Sequence, residues 1–157
     1  PSLQDEPNLA FTEAFIREVL RYSSIVTVSM QHTCTVDKKL RDLDIPKGTT
    51  LLPDIDSVLF DPKIWGDPEE FRPERFIDDK GTLLKPDEFI PFFAGTRNCV
   101  GESMATMELY LFITALVQKL EFLPLEGTTL DINKIDGVFG LVHKPKPFEI
   151  RAIMRKK

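Results

Sequence analysis

From Asn8 the run LAFTEAFIREVLRY repeats apolar side chains at helical spacing: Phe11, Phe15, Val19 and Tyr22 share one face, with Ile16 and Leu20 beside them. The pattern predicts an amphipathic helix over residues 8–22 with Asn8 as its N-cap. From Ile25 to Val36 the period shortens toward two and Val, Thr and Ile dominate. The stretch DIPKGTTLL that follows places a turn at Pro46–Gly48 before another short strand. A β-rich region with a short helix is therefore expected over 25–60. Residues 61–98 form a proline-punctuated segment, in which Pro62, Pro68, Pro73, Pro86 and Pro91 exclude a long regular element. Trp65, Phe71, Phe76 and Phe89 in the same segment argue that it is an ordered loop packed on the rest of the chain. A second, more apolar helix is predicted within 99–120, with Met104, Met107, Leu111, Ala115 and one face of Phe112 and Leu116 suited to burial. Alternation from Phe148 to Met154 predicts a closing strand in a β-rich end, 121–157. The expected fold class is mainly α with small antiparallel β-sheets.

Composition narrows the function classes. A chain of 157 residues with 42% hydrophobic content is long and apolar enough for a real core. The net charge of −5 comes from interspersed signs, with no basic stripe to track a phosphate backbone, so nucleic acid is not an expected partner. No run approaches the roughly 18 apolar residues of a membrane span. The sequence opens on Pro1 and a polar stretch instead of a Met-initiated signal pattern, and is expected to be a C-terminal piece of a longer protein. Two cysteines, Cys34 and Cys99, are too few for a stapled secreted scaffold, and with His32 and His143 they show none of the paired spacings of zinc motifs. Cys34 is expected to be a buried small residue and His143 a surface one.

Cys99 stands apart. In PFFAGTRNCVGE it lies between Gly95 and Gly101, two residues after Arg97 and just before the second helix. Unpaired N–H groups and the dipole at a helix start favour thiolate over thiol. Gly95 permits a backbone conformation closed to other residues, and Gly101 allows close approach of a flat partner. A thiolate in this setting suits nucleophilic catalysis, redox sensing or ligation of a metal cofactor. Ligation accounts for more of the residues, because Arg97 answers an acidic group on a cofactor and Phe92 shields the sulfur from water.

The spacing Phe92-x-x-Gly95-x-Arg97-x-Cys99-x-Gly101, continued by Ala105 and Glu108, resembles the haem-binding signature of the cytochrome P-450 monooxygenases. Five fixed residues at about 5% frequency each meet by chance about once in several million windows. Two more motifs follow the family's order: Glu18-x-x-Arg21 on the first helix, and FRPERF, which supplies Arg75. At i and i+3 the first pair shares a helix face, and Arg75 from the loop completes a charge network. In the family this trio is structural. IPKGT, Ile45 to Thr49, also resembles the family, and His32 lies thirteen residues before Ile45, where many relatives place a side chain that binds a haem propionate. An ordinary hydrogen-bonded strand histidine is the other reading of His32. One departure is Phe60, where relatives often have histidine before the DPxxW motif; it puts a local hydrogen bond in question.

The resemblance implies the C-terminal, proximal haem-face part of the cytochrome P-450 fold. It implies haem b as cofactor, with Cys99 as axial iron ligand, Arg97 and His32 toward the propionates, and Phe92, Gly95 and Gly101 shaping the loop; it implies no other catalytic residue here. It further implies that Ile25–Val28 and Val138–Phe139 line the substrate pocket. The implied reaction inserts one atom of dioxygen into a small lipophilic organic substrate, with the other leaving as water. Electrons would come from an NADPH-dependent reductase, with cytochrome b5 as a second donor, at the cytoplasmic face of the endoplasmic reticulum. Any membrane anchor would lie upstream. A haem-thiolate isomerase or peroxygenase, and a non-catalytic haem-binding or structural module, would keep the same motifs.

Overall fold

The computed structural model describes residues 1–129, 137, 138, 140 and 142–156. Ser2 begins a 3-10 turn, Leu3–Asn8, closed by a capping box: the Ser2 N–H and Oγ both donate to the Asp5 carboxylate, at 2.8 and 3.1 Å. Asn8 is consumed by this turn, so the N-cap of the first long helix, α1 (Ala10–Ser23), is Leu9 and not Asn8. The helix ends at Ser24, whose left-handed backbone (φ 37°) turns the chain.

Two small antiparallel ladders follow. Strand β1 (His32–Thr33) and, later in the chain, β4 (Thr50–Leu51) form one; β2 (Lys38–Leu40) and β3 (Leu43–Ile45) form the hairpin between them. Thr49 N–H donates to the Pro46 carbonyl at 3.1 Å, closing the turn expected at Pro46–Gly48, and Gly48 adopts φ +87° there. Cys34, half-buried, extends the β1–β4 ladder through its backbone.

The proline-rich segment holds the short helices α2 (Asp56–Leu59) and α3 (Pro62–Trp65) and a 3-10 turn at Pro73–Phe76. Asp61 caps α3, its carboxylate accepting from Lys63 N–H at 2.8 Å, and Pro62 occupies the first turn where its missing N–H costs nothing. The second long helix, α4 (Glu102–Lys119), runs into β5 (Leu120–Leu123), which pairs with β8 (Arg151–Met154); β6 (Gly137–Val138) and β7 (Lys144–Pro145) form a hairpin in between. The expected closing strand is thus present over Arg151–Met154, and its partner is β5. Among the described residues no helix is long and apolar enough to cross a membrane.

The core is two clusters with α1 between them. Ala14, Ile55, Leu59, Trp65 and Phe76 form one; Ile16 and Leu20 of α1 with Tyr110 of α4 form the other. This corrects the expected face of α1. Phe11 is 55% exposed, and Phe15 and Tyr22 are half-buried, packing edge-on against Phe71. A single-stripe reading fails because a helix packed on two sides buries two faces, one of them carrying Glu18 and Arg21. The expected face of α4 is also corrected. Tyr110 and Thr114 are its buried residues, whereas Met104, Met107, Leu111, Phe112 and Leu116 are exposed. Thr114 satisfies its hydroxyl by donating to the Tyr110 carbonyl at 2.6 Å.

Phe76 is fully buried between Trp65 and Phe89, with ring centroids at 5.7 and 5.0 Å. Phe76→Ala should cost about 3–5 kcal/mol, measured by chemical denaturation, and should loosen the loop before Cys99 first, measured by hydrogen exchange at residues 86–93.

Candidate functional site

The site is built from below by a charge that has no water. Glu18 and Arg21 are fully buried one turn apart on α1. The Arg21 fork donates through Nε to Glu18 Oε2 at 2.8 Å and through Nη2 to Oε1 at 3.0 Å. Its remaining donors reach the carbonyls of Leu59 (2.9 Å) and Pro68 (2.8 Å). Arg75, in the 3-10 turn, donates through Nε to Glu18 Oε1 at 3.1 Å and spends its other N–H groups on the Trp65, Asp67 and Glu70 carbonyls and the Asp67 carboxylate. The Arg72 backbone N–H adds a further donor to Glu18 Oε1, at 2.8 Å.

Sequence reasoning missed Asp67. Its Oδ1 accepts from Arg72 Nη2 at 2.7 Å and Arg75 Nη1 at 3.0 Å. These contacts, that to Arg72 foremost, hold its carboxyl below the ordinary carboxylate range, and Asp67 in turn raises Arg72. No local pattern marks Asp67 as a partner of Arg75, because the bond depends on the loop's path. The Phe60 departure is resolved by packing. The Arg21 guanidinium carbon lies 5.3 Å from the Phe60 ring centroid, 5.5 Å from Trp65 and 5.8 Å from Tyr22, so the position is filled by an aromatic face against the buried arginine.

The segment leading to Cys99 is anchored to α1. Arg17 of α1 donates to the Leu84 carbonyl, although burial lowers its own pKa. Burial, with repulsion from Glu6, pushes the carboxyl of neighbouring Glu13 up. Within the loop the Cys99 N–H donates to the Phe92 carbonyl at 2.9 Å, and the Cys99 carbonyl accepts from Glu102 N–H at 3.3 Å. Cys99 therefore stands two residues outside the Gly101 cap of α4, not immediately before the helix. The Phe92 ring packs against the Ile16, Leu20 and Tyr110 cluster.

Gly95 takes φ +80°, as its place in the loop required, and Phe93 takes φ +67°, a strained left-handed conformation for a bulky residue. Phe93 is a second residue that sequence reasoning passed over. Its ring stacks on His32 of β1, centroids 5.7 Å apart, which ties the Cys99 loop to the strand carrying His32. Arg97 is exposed and makes no hydrogen bond or ion pair among the described residues. Cys34 and Cys99 are both free thiols, and Cys99 is exposed.

Comparison with known proteins places the chain in a family. The sequence model of the family Cytochrome P450 matches residues 1–152. The chain belongs to the cytochrome P450 family. It is similar to cytochrome P450 2D9 of Mus musculus (40% identical over 155 residues, 99% of this chain and 30% of that protein). It is similar as well to cytochrome P450 2C23 of Rattus norvegicus (42% over 156 residues, 99% and 31%) and cytochrome P450 2U1 of the same species (43% over 155 residues, 99% and 29%). The chain thus spans about three tenths of the length of these relatives.

Cytochromes P450 bind haem b, the cofactor expected from the sequence. The residues present fit it. A soft thiol is exposed on the loop. A Cβ at Gly101 would lie 3.8 Å from the Cys99 sulfur, so the side of Gly101 that lacks a side chain faces the thiol. Among the described residues no group of three or more His, Cys, Asp or Glu could hold a metal ion. Arg97 offers an unpaired cation for an acidic edge.

Two predictions follow from the buried network. Arg75→Ala leaves Glu18 short of a partner and should cost about 3–5 kcal/mol. Arg75→Lys should not restore it, because an ammonium cannot span Glu18, Asp67 and the carbonyls at once; urea unfolding measures both. Asp67, with its lowered pKa, contributes stability that is present above the ordinary Asp value of about 3.9 and is lost as pH falls through the lowered one. Asp67→Asn should remove that part of the acid dependence, read as a flatter stability profile below about pH 4.

Proposed function

We propose that this chain is the haem-ligand part of a haem-thiolate monooxygenase. The reading rests on one observation above the others: an exposed cysteine, Cys99, on a glycine-lined loop that a buried ion network holds in place. In this reading Cys99 would hold the haem iron through its sulfur and Arg97 would pair with a haem propionate. His32, held beside the loop by its stacking on Phe93, serves the other acidic edge. Phe92, Gly95 and Gly101 shape the loop, and Glu18, Arg21 and Arg75 keep the proline-rich segment under it. The working units are 8–22, 25–60, 61–98, 99–120 and 121–157 of a single domain.

Haem bound at Cys99 supplies activation of dioxygen for insertion of one oxygen atom into an organic substrate. The chain's own part is to present the sulfur, keep the loop rigid and neutralise the propionates. Electrons come from NADPH through a reductase, with cytochrome b5 as a second donor. The substrate is a small lipophilic molecule, and the site of action is the cytoplasmic face of the endoplasmic reticulum. Because the chain spans about three tenths of its relatives, the isolated chain offers one wall of the pocket and should hold haem weakly.

The ferrous carbon monoxide difference spectrum of the full-length protein containing this chain tests the reading. A red-shifted, thiolate-type Soret band is expected, and it should vanish in Cys99→Ala. Its absence from folded, haem-supplied wild type would sink the proposal. Loss of turnover without NADPH and reductase is expected as well; turnover that persists without them favours the isomerase or peroxygenase alternative.

A further inference from the structure

His143 is expected at the surface from its sequence, yet it is half-buried and makes a two-point attachment across the fold. It immediately precedes β7. Its backbone N–H donates to the Ile25 carbonyl at 2.7 Å, and its ring Nδ1 lies 3.0 Å from the Ser23 carbonyl. A carbonyl only accepts, so Nδ1 carries the proton, and in the neutral ring Nε2 does not. The two accepting carbonyls flank Ser24, the left-handed residue that ends α1. One bond comes from backbone and one from side chain, so together they fix orientation as well as distance.

The ring has a seat made for it. A Cβ at Gly137 in β6 would overlap Nε2, Cδ2 and Cε1 of His143, so the imidazole occupies the space that a side chain at 137 would fill. Gly137 does not have a positive φ, and its lack of a side chain is therefore about space and not backbone freedom. Apolar side chains stand exposed on both joined segments: Ile25 and Val26 after α1, Val138 and Val142 in the hairpin.

We propose that His143 is a positioning residue that latches the β6–β7 hairpin to the segment after α1, and so sets how long a lipophilic ligand the two apolar segments accept. The proposal rests on the reading that Ile25–Val28 and Val138 face the substrate; Phe139, assigned with Val138, lies outside the described residues. The side-chain bond is the variable half of the latch, because the backbone N–H that donates to Ile25 is kept by every substitution at 143 except proline.

The test uses the full-length haem protein and two spectroscopic probes, 1-methylimidazole and 1-hexylimidazole, titrated as iron ligands. The short probe reports the iron site alone; the long one also reports the apolar segments. His143→Leu keeps bulk and loses the donor, and Gly137→Ala displaces the ring. Each should weaken 1-hexylimidazole by about fivefold, the scale of one lost hydrogen bond, with 1-methylimidazole unchanged and the thiolate carbon monoxide band intact. His143→Asn places an amide N–H where Nδ1 was and should restore wild-type preference. Unchanged preference in both disrupting variants overturns the latch. So does loss of the thiolate band together with the preference, since His143 would then be a general prop of the fold. A wild type without the thiolate band overturns instead the functional reading on which the proposal rests.

Discussion

A carboxylate removed from water must be met by donors on all sides, and Glu18 is met by three residues at once. Only one of them, Arg21, is its neighbour on the helix. Arg75 and the Arg72 backbone come from a segment more than fifty residues away, so the charge is satisfied only when that segment wraps back onto α1. The same guanidinium groups then serve the carbonyls of Leu59, Trp65, Asp67, Pro68 and Glu70. A proline-rich stretch offers few ladder hydrogen bonds, because proline lacks an N–H. Arginine forks supply the order that a sheet or helix would otherwise supply.

From this anchor a continuous packed path leads to the thiol. Arg21 sits among Tyr22, Phe60 and Trp65; Trp65 packs on Phe76, and Phe76 on Phe89. Phe89 touches both core clusters, and four residues on Phe93 turns left-handed and stacks on His32. The Cys99 amide is tied to Phe92 in the same turn. Order thus reaches the Cys99 loop through aromatic contacts along the chain. That Cys99 lies outside the Gly101 cap means its position owes more to the loop than to α4.

The parts of the site legible in the sequence are those whose chemistry is carried by short spacing. Cys99 with Gly95, Arg97 and Gly101 falls within one loop, and Glu18 with Arg21 within one helical turn. Asp67, Phe93 and His143 were not legible as partners. Phe93 and His143 meet residues distant in sequence, Asp67 meets arginines five and eight positions on only through the loop's path, and each residue type is ordinary in a loop or turn. The helices illustrate the same divide. Their existence followed from period and length, but which faces are buried did not, because α1 is packed on two sides and α4 offers Tyr110 and Thr114 to it.

By itself the sequence determined that the chain is mainly helical with small antiparallel sheets, that its middle is an ordered proline-rich loop, and that one cysteine stands between two glycines two residues after an arginine. Those features depend on residues within a turn or two of one another, where backbone geometry leaves few choices. Tertiary structure alone decided that Asp67 joins the ion network, that the Phe60 ring lies against the Arg21 guanidinium, and that His143 seats on Gly137 and reaches back to Ser23. Those contacts depend on where distant segments meet, and that is settled by burying Glu18 and filling two cores together, not by any local pattern of residues.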